Sequence, residues 1–172
     1  MLDMKRENDF KLLPLFLVIF GILLRLLPHK MNFAPIGAIA LFSGVYLPKR
    51  WNFIIPLLTL LISDYFLKFY GTLMFFTYGS YVLMTLLGQI YKKYRIDMPI
   101  VGSILFFIIS NFGFWVVYGG GFISTYIMAI PFFKTTLVSD FVYTSGLFLS
   151  YEIIKYVVKA IRSDNPLVSW LV

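Results

Sequence analysis

The sequence predicts an all-α integral membrane protein: one domain, residues 1–172, folded as a bundle of six transmembrane helices with both termini in the cytoplasm. Three observations carry that prediction. The mean hydropathy is +0.85 and charged residues make up only 13% of the chain, which is more apolar than a soluble domain of this size tolerates. Apolar runs bounded by charges, prolines and glycines recur at about 12–27, 33–47, 52–69, 73–91, 99–118 and 136–158, near the roughly 20 residues that a helix needs to cross a bilayer. The basic residues between the runs are uneven. Lys5, Arg6, Lys11, Lys49, Arg50, Lys92, Lys93, Arg95, Lys155, Lys159 and Arg162 fall on one side and only Arg25, Lys30, Lys68 and Lys134 on the other, which puts the first group and both termini inside.

The first run follows a segment that mixes Asp3, Glu7 and Asp9 with Lys5, Arg6 and Lys11, unlike the basic start of a signal peptide. It is expected to remain as a span behind a short cytoplasmic segment, 1–11. The second run is short and carries Ala34, Ala38, Ala40 and Gly44. Ala34 to Ala38 and Ala40 to Gly44 are each four apart, a spacing that lets helices approach closely in lipid, either within the bundle or against a partner helix. The third run holds Asp64 and Lys68 near its outer end, the fifth holds Asn111 at a similar height, and the sixth meets Asp140 about one turn in. Between the last two lies GGGFISTYIMAIPFFKT, 119–135, which is expected to form an irregular outer loop. Its glycines break the fifth helix, Pro131 prevents a clean continuation, and its apolar part is too short to span. Toward the inner side, Gln89 and Glu152 lie near the edge, Glu152 has Lys155 three residues on as a helix-face partner, and 159–172 is left as a cytoplasmic tail.

Polar residues placed by depth suggest a function. An ionised side chain within a bilayer costs about 3 kcal/mol on insertion scales, so it faces a cavity or a partner. Arg25, His29, Asn32, Asp64, Asn111, Lys134 and Asp140 all fall in the outer third, on four helices and two connections. Singly they have ordinary explanations: Asp64 with Lys68 as a local pair, Arg25 snorkelling to the headgroups, Asp140 on a helix dipole. Together they predict a polar chamber open to the outside. Arg25, Lys30, Lys68 and Lys134 outnumber Asp64 and Asp140 there, which suits a small solute with a carboxylate or phosphate. In that reading Arg25, His29 and Lys134 hold the anion and Asn32 and Asn111 supply neutral hydrogen bonds. Asp64 and Asp140 orient the basic residues or meet a ligand amine. Tyr65, Tyr70, Tyr78, Trp115, Tyr118 and Tyr143 lie at similar depth, where interfacial aromatic belts are routine.

The same sequence excludes much chemistry. There is no cysteine and one histidine, so thiolate chemistry and multi-histidine metal sites are out. No HExxH, no phosphate-binding Gly-x-x-x-x-Gly-Lys-Ser/Thr and no Gly-x-Ser-x-Gly occurs, and no cofactor or metal is expected. The basic residues are scattered among apolar runs, which argues against a nucleic-acid partner. Two alternatives to solute binding for uptake stand beside it: a stand-alone secondary transporter, and a membrane enzyme acting on lipid headgroups through His29 with Asp64 or Asp140. The enzyme is the weaker expectation because no nucleophile has a recognisable setting.

Arg25-Leu-Leu-Pro28-His29, then Asn32-Phe33-x-Pro35-Ile36-x-Ala38-x-Ala40-Leu41-Phe42-x-Gly44, Ser63-Asp64, Tyr78-Gly79-Ser80, Ser110-Asn111-Phe112-Gly113 and Ala129-Ile130-Pro131-Phe132-Phe133-Lys134 up to Asp140 form a series of motifs. In them the chain resembles an uncharacterised family of six-span bacterial membrane proteins, over most of residues 25 to 145. In layout it is also similar to the substrate-binding S components of energy-coupling-factor transporters. That similarity implies an inner-membrane protein that captures a vitamin or other micronutrient outside. It also implies a separate transmembrane coupling subunit with two ATPases, and a ligand site closed by the connections at 28–32 and 119–135. In S components an Ala-x-x-x-Ala pattern in helix one serves coupling; here the small residues lie in helix two.

Overall fold

The structure is a computed structural model that describes residues 12–28 and 30–164. Among them are six helices of more than ten residues and no strand: α1 (Leu13–Leu26), α2 (Ile36–Tyr46), α4 (Ile54–Leu67), α5 (Leu73–Tyr91), α6 (Met98–Tyr118) and α7 (Phe122–Asp164), with a single turn, α3 (Lys49–Asn52), leading into α4. Pro14 and Pro99 stand in the first turns of α1 and α6, where a missing N–H costs no helical bond. α5 ends at Lys92, whose left-handed backbone lets its N–H return to the Gly88 carbonyl at 3.0 Å. Beyond it the Tyr91 hydroxyl donates to Asp97 Oδ2 at 2.8 Å and, with Arg95, holds the Asp97 carboxyl below its usual range.

The six helices divide by length. α5, α6 and α7 are long and apolar enough to cross a membrane. α1, α2 and α4 have 14, 11 and 14 residues. At about 1.5 Å per residue they rise only about 21, 17 and 21 Å, against a hydrocarbon core of about 30 Å. The expected irregular loop over 119–135 does not form, which corrects the sequence reading. The turn is confined to Gly119–Gly121, with φ of +73° at Gly119 and +92° at Gly120, backbone that glycine adopts without penalty. Helix resumes at Phe122 and runs through Pro131 to a total of 43 residues. Proline removes one backbone bond, to the Ile127 carbonyl. Packing on α6 offsets that loss: the Tyr126 hydroxyl donates to the Ile108 carbonyl at 2.8 Å, and ring pairs Phe107–Phe133, at 4.8 Å, and Trp115–Phe122, at 5.3 Å, hold the first turns of α7 in place. In apolar surroundings, moreover, a helix is the conformation that satisfies the most backbone.

α2 is the hub. It packs against α5 and α7 and also meets α1, α4 and α6, and every residue from Ile36 to Gly44 is buried. A helix covered on all sides has no polar face to present, and this one is apolar or small throughout that stretch. Gly44 and Gly88 form a close crossing between α2 and α5. A Cβ built on Gly44 would lie 2.9 Å from the Gly88 Cα, so α2 and α5 touch backbone to backbone. Ala38 and Ala40 are fully buried by helices of the same chain, and Ala34 is half-buried at the entry to α2.

Buried and exposed residues are arranged as in a bundle that meets lipid. Ser43, Thr59, Ser63, Ser80, Thr85, Ser103, Ser139 and Thr144 are inside, whereas Ile104, Ile108 and Phe112 on α6 and Ile123, Ile127 and Met128 on α7 face out. Many inner hydroxyls are satisfied within their own helix: Thr59 donates to the Ile55 carbonyl at 2.8 Å, Ser80 to Phe76 at 2.7 Å and Thr85 to Tyr81 at 3.0 Å.

Candidate functional site

A cavity of about 600 Å³ opens at the end of the bundle where α1, α4 and α6 finish and α2, α5 and α7 begin. Arg25, Asn32, Asn111 and Asp140 line it together. They reach it from α1, the α1–α2 connection, α6 and α7. Asn32 has φ +62°, the left-handed conformation that asparagine tolerates better than most residues, so it shapes the turn into α2 as well as the wall. Seven aromatic side chains also line it: Tyr70 and Tyr81 from the α5 side, Phe106, Phe107 and Phe114 from α6, Phe132 and Phe133 from α7.

Arg25 does not project freely into this space. Its Nη2 lies 2.7 Å from Asp64 Oδ1, and its Nη1 donates to Ser63 Oγ at 2.6 Å and toward the Leu60 carbonyl at 3.4 Å. Asp64, 1% exposed, also accepts from the Tyr78 hydroxyl at 2.8 Å and stands behind Arg25, outside the cavity wall. The last turns of α1 and α4 thereby close on an ion pair. Lys68, four residues after Asp64, is exposed at the end of α4, so the local Asp64–Lys68 pair does not form.

Asp140 is held differently. It is 3% exposed on α7 and accepts a hydrogen bond from Ser103 Oγ at 2.7 Å, and among the described residues no basic side chain pairs with it. Its other oxygen rests against Gly37 of α2; a Cβ there would come within 2.8 Å of Asp140 Cγ. The next polar groups along the wall each donate to a carbonyl of their own helix, with Asn111 keeping a second amide N–H. Ser110 Oγ donates to the Phe106 carbonyl at 2.6 Å, Thr136 Oγ1 to Phe132 at 3.0 Å, and Asn111 Nδ2 to Phe107 at 2.7 Å.

Of the residues expected at the site, the structure thus brings Arg25, Asn32, Asn111 and Asp140 to one wall and puts Asp64 directly behind it. Lys134 is exposed and does not line the cavity. His29 lies outside the described residues. Gly37 and Ser103 are not singled out by the sequence, and Ser63, Tyr78, Ser110 and Thr136 stand there only in the motifs and the aromatic belt. The partners on other helices, Ser63 with Arg25, Tyr78 with Asp64 and Ser103 with Asp140, are set by tertiary contact and not by sequence distance.

The class defined by these features is an α-helical bundle of membrane type with a polar-and-aromatic chamber at one end. Within that class the chain belongs to the family of unknown function DUF6580, which matches residues 5–161. No curated protein and no solved structure matches it.

Proposed function

We propose that this protein binds a small solute in an outward-facing chamber as a step in its uptake across the cytoplasmic membrane. The observation that carries the reading is the cavity of about 600 Å³ at the Arg25 end, a size usual for small-molecule sites, with a buried carboxylate, amide and hydroxyl groups and several rings on its wall. The basic residues outside the bundle concentrate at the other end, which supports an inner-membrane arrangement with six spans and both termini inside, the short helices α1, α2 and α4 borrowing their flanks. The chain has no phosphate-binding loop, so ATP-driven uptake in the manner of an S component requires a separate coupling subunit and two ATPases. A second reading, a stand-alone secondary transporter, is favoured by Asp140, because a buried acid without a basic partner among the described residues is the kind of group that carries coupling ions.

Cysteine accessibility tests the first statement, since the natural chain contains no cysteine. Asn111→Cys should react with a membrane-impermeant maleimide added to intact cells. Reaction only after the cytoplasmic face is opened would overturn the outward-facing chamber. A mild-detergent pull-down from native membranes separates the two transport modes. Recovery of a transmembrane subunit with two ATPases supports the first, and ion-dependent uptake by the purified chain in vesicles supports the second.

A further inference from the structure

We infer that the solute is an organic cation, an amine or quaternary ammonium on a ring-bearing body, with Asp140 as its counter-charge; this rests on reading the cavity as a solute site. Counting basic residues at this end of the bundle predicts an anion, but the geometry cancels that count. Arg25 is already matched by Asp64 at 2.7 Å. An anion that drew Arg25 away would leave Asp64, 1% exposed, as an uncompensated buried charge, which is strongly unfavourable. Lys30, Lys68 and Lys134 are exposed and line no part of the cavity, so bulk salt screens them over about 8 Å at physiological strength. Among the described residues that line the cavity, the charge left without a partner of opposite sign is Asp140.

Two further features of the wall agree. Ser110 and Thr136 have given their protons to carbonyls of their own helices, so what they offer a ligand is lone pairs, which suit the N–H groups of an ammonium. Tyr81, Phe106, Phe107 and Phe133 line the same space, and a desolvated cation is attracted to aromatic faces. A buried acid, acceptors and rings together favour a cation with an apolar body over a carboxylate or phosphate.

The test uses the full chain in right-side-out vesicles with one introduced cysteine, Ser110→Cys in the wall or Thr72→Cys on the exposed α4–α5 connection as reference. Each is labelled from outside with two methanethiosulfonates of similar size, one bearing trimethylammonium and one bearing sulfonate. The cationic-to-anionic rate ratio at Ser110→Cys should exceed that at Thr72→Cys by roughly tenfold, as expected for a cleft that concentrates one sign of charge. Asp140→Asn should erase the excess. A ratio at Ser110→Cys that is equal to or below the reference, or an excess that survives Asp140→Asn, would overturn the cation while leaving the chamber. Failure of both reagents at Ser110→Cys, with Thr72→Cys reactive, would overturn the outward chamber itself and the cation with it. The ratio in the background that retains Asp140 is decisive even if Asp140→Asn does not fold.

Discussion

Asp64 and Asp140 are both aspartates buried in helices at one end of the bundle, and they have opposite surroundings. Asp64 lies beside a guanidinium and accepts from a tyrosine hydroxyl. Asp140 has one serine, a glycine backbone and a cavity. The first arrangement joins α1, α4 and α5 and spends its charge on holding them. The second borders the cavity and has no basic partner among the described residues. One carboxyl ties helices together and the other faces an open space, although burial is nearly the same.

Substitutions that exchange the two situations should respond in order. Asp64→Asn leaves Arg25 without its counter-charge and should have the largest effect, a loss of about 3 kcal/mol in stability, read from unfolding titrations in mixed micelles. The double variant Arg25→Met with Asp64→Leu should recover most of that loss; no recovery would show that the pair does more than balance charge. Gly44→Ala, at the backbone contact with Gly88, should cost about 1–3 kcal/mol by forcing α2 from α5, a loss unrelated to either carboxylate and useful as a packing reference. Tyr78→Phe removes one hydrogen bond to Asp64 and should cost about 1.5 kcal/mol. Asp140→Asn keeps the shape and an acceptor for Ser103, so its stability should stay within about 1 kcal/mol of the natural chain. A large loss there would make Asp140 a structural residue like Asp64. The exposed pair Glu152–Lys155, 3.0 Å apart, marks the lower end of the scale: Lys155→Ala should shift stability by less than about 0.5 kcal/mol.

Much of the helical framework was legible in the sequence, since the apolar runs at 12–27, 33–47, 52–69, 73–91 and 99–118 lie within a few residues of α1, α2, α4, α5 and α6. Apolar runs of this length have few other ways to satisfy their backbone. The structure differs from the sequence expectation over 119–135 because the rule that proline stops a helix counts one lost hydrogen bond and omits the aromatic packing of Tyr126 and Phe133 on α6. For the site, depth alone brought Arg25, Asn32, Asn111 and Asp140 to one level, and the structure puts all four on one cavity wall. Depth could not say which of them were already engaged. Lys134 shares that level and points elsewhere.

An apolar, cysteine-free, all-helical chain, the place of most helices, the local Glu152–Lys155 pair and the crowding of polar residues toward one end can all be read from the amino-acid sequence. These follow from composition and from spacings of three or four residues, which one helix realises without help from another. That Arg25 belongs to Asp64 and Ser63, that Gly37 makes room for Asp140, that α2 is the hub, and that Asp140 faces the cavity without a basic partner among the described residues are visible only in three dimensions. Each of these depends on helices far apart in sequence meeting at contact distance, and charge is cancelled or left over by that contact, not by how many charges the chain contains.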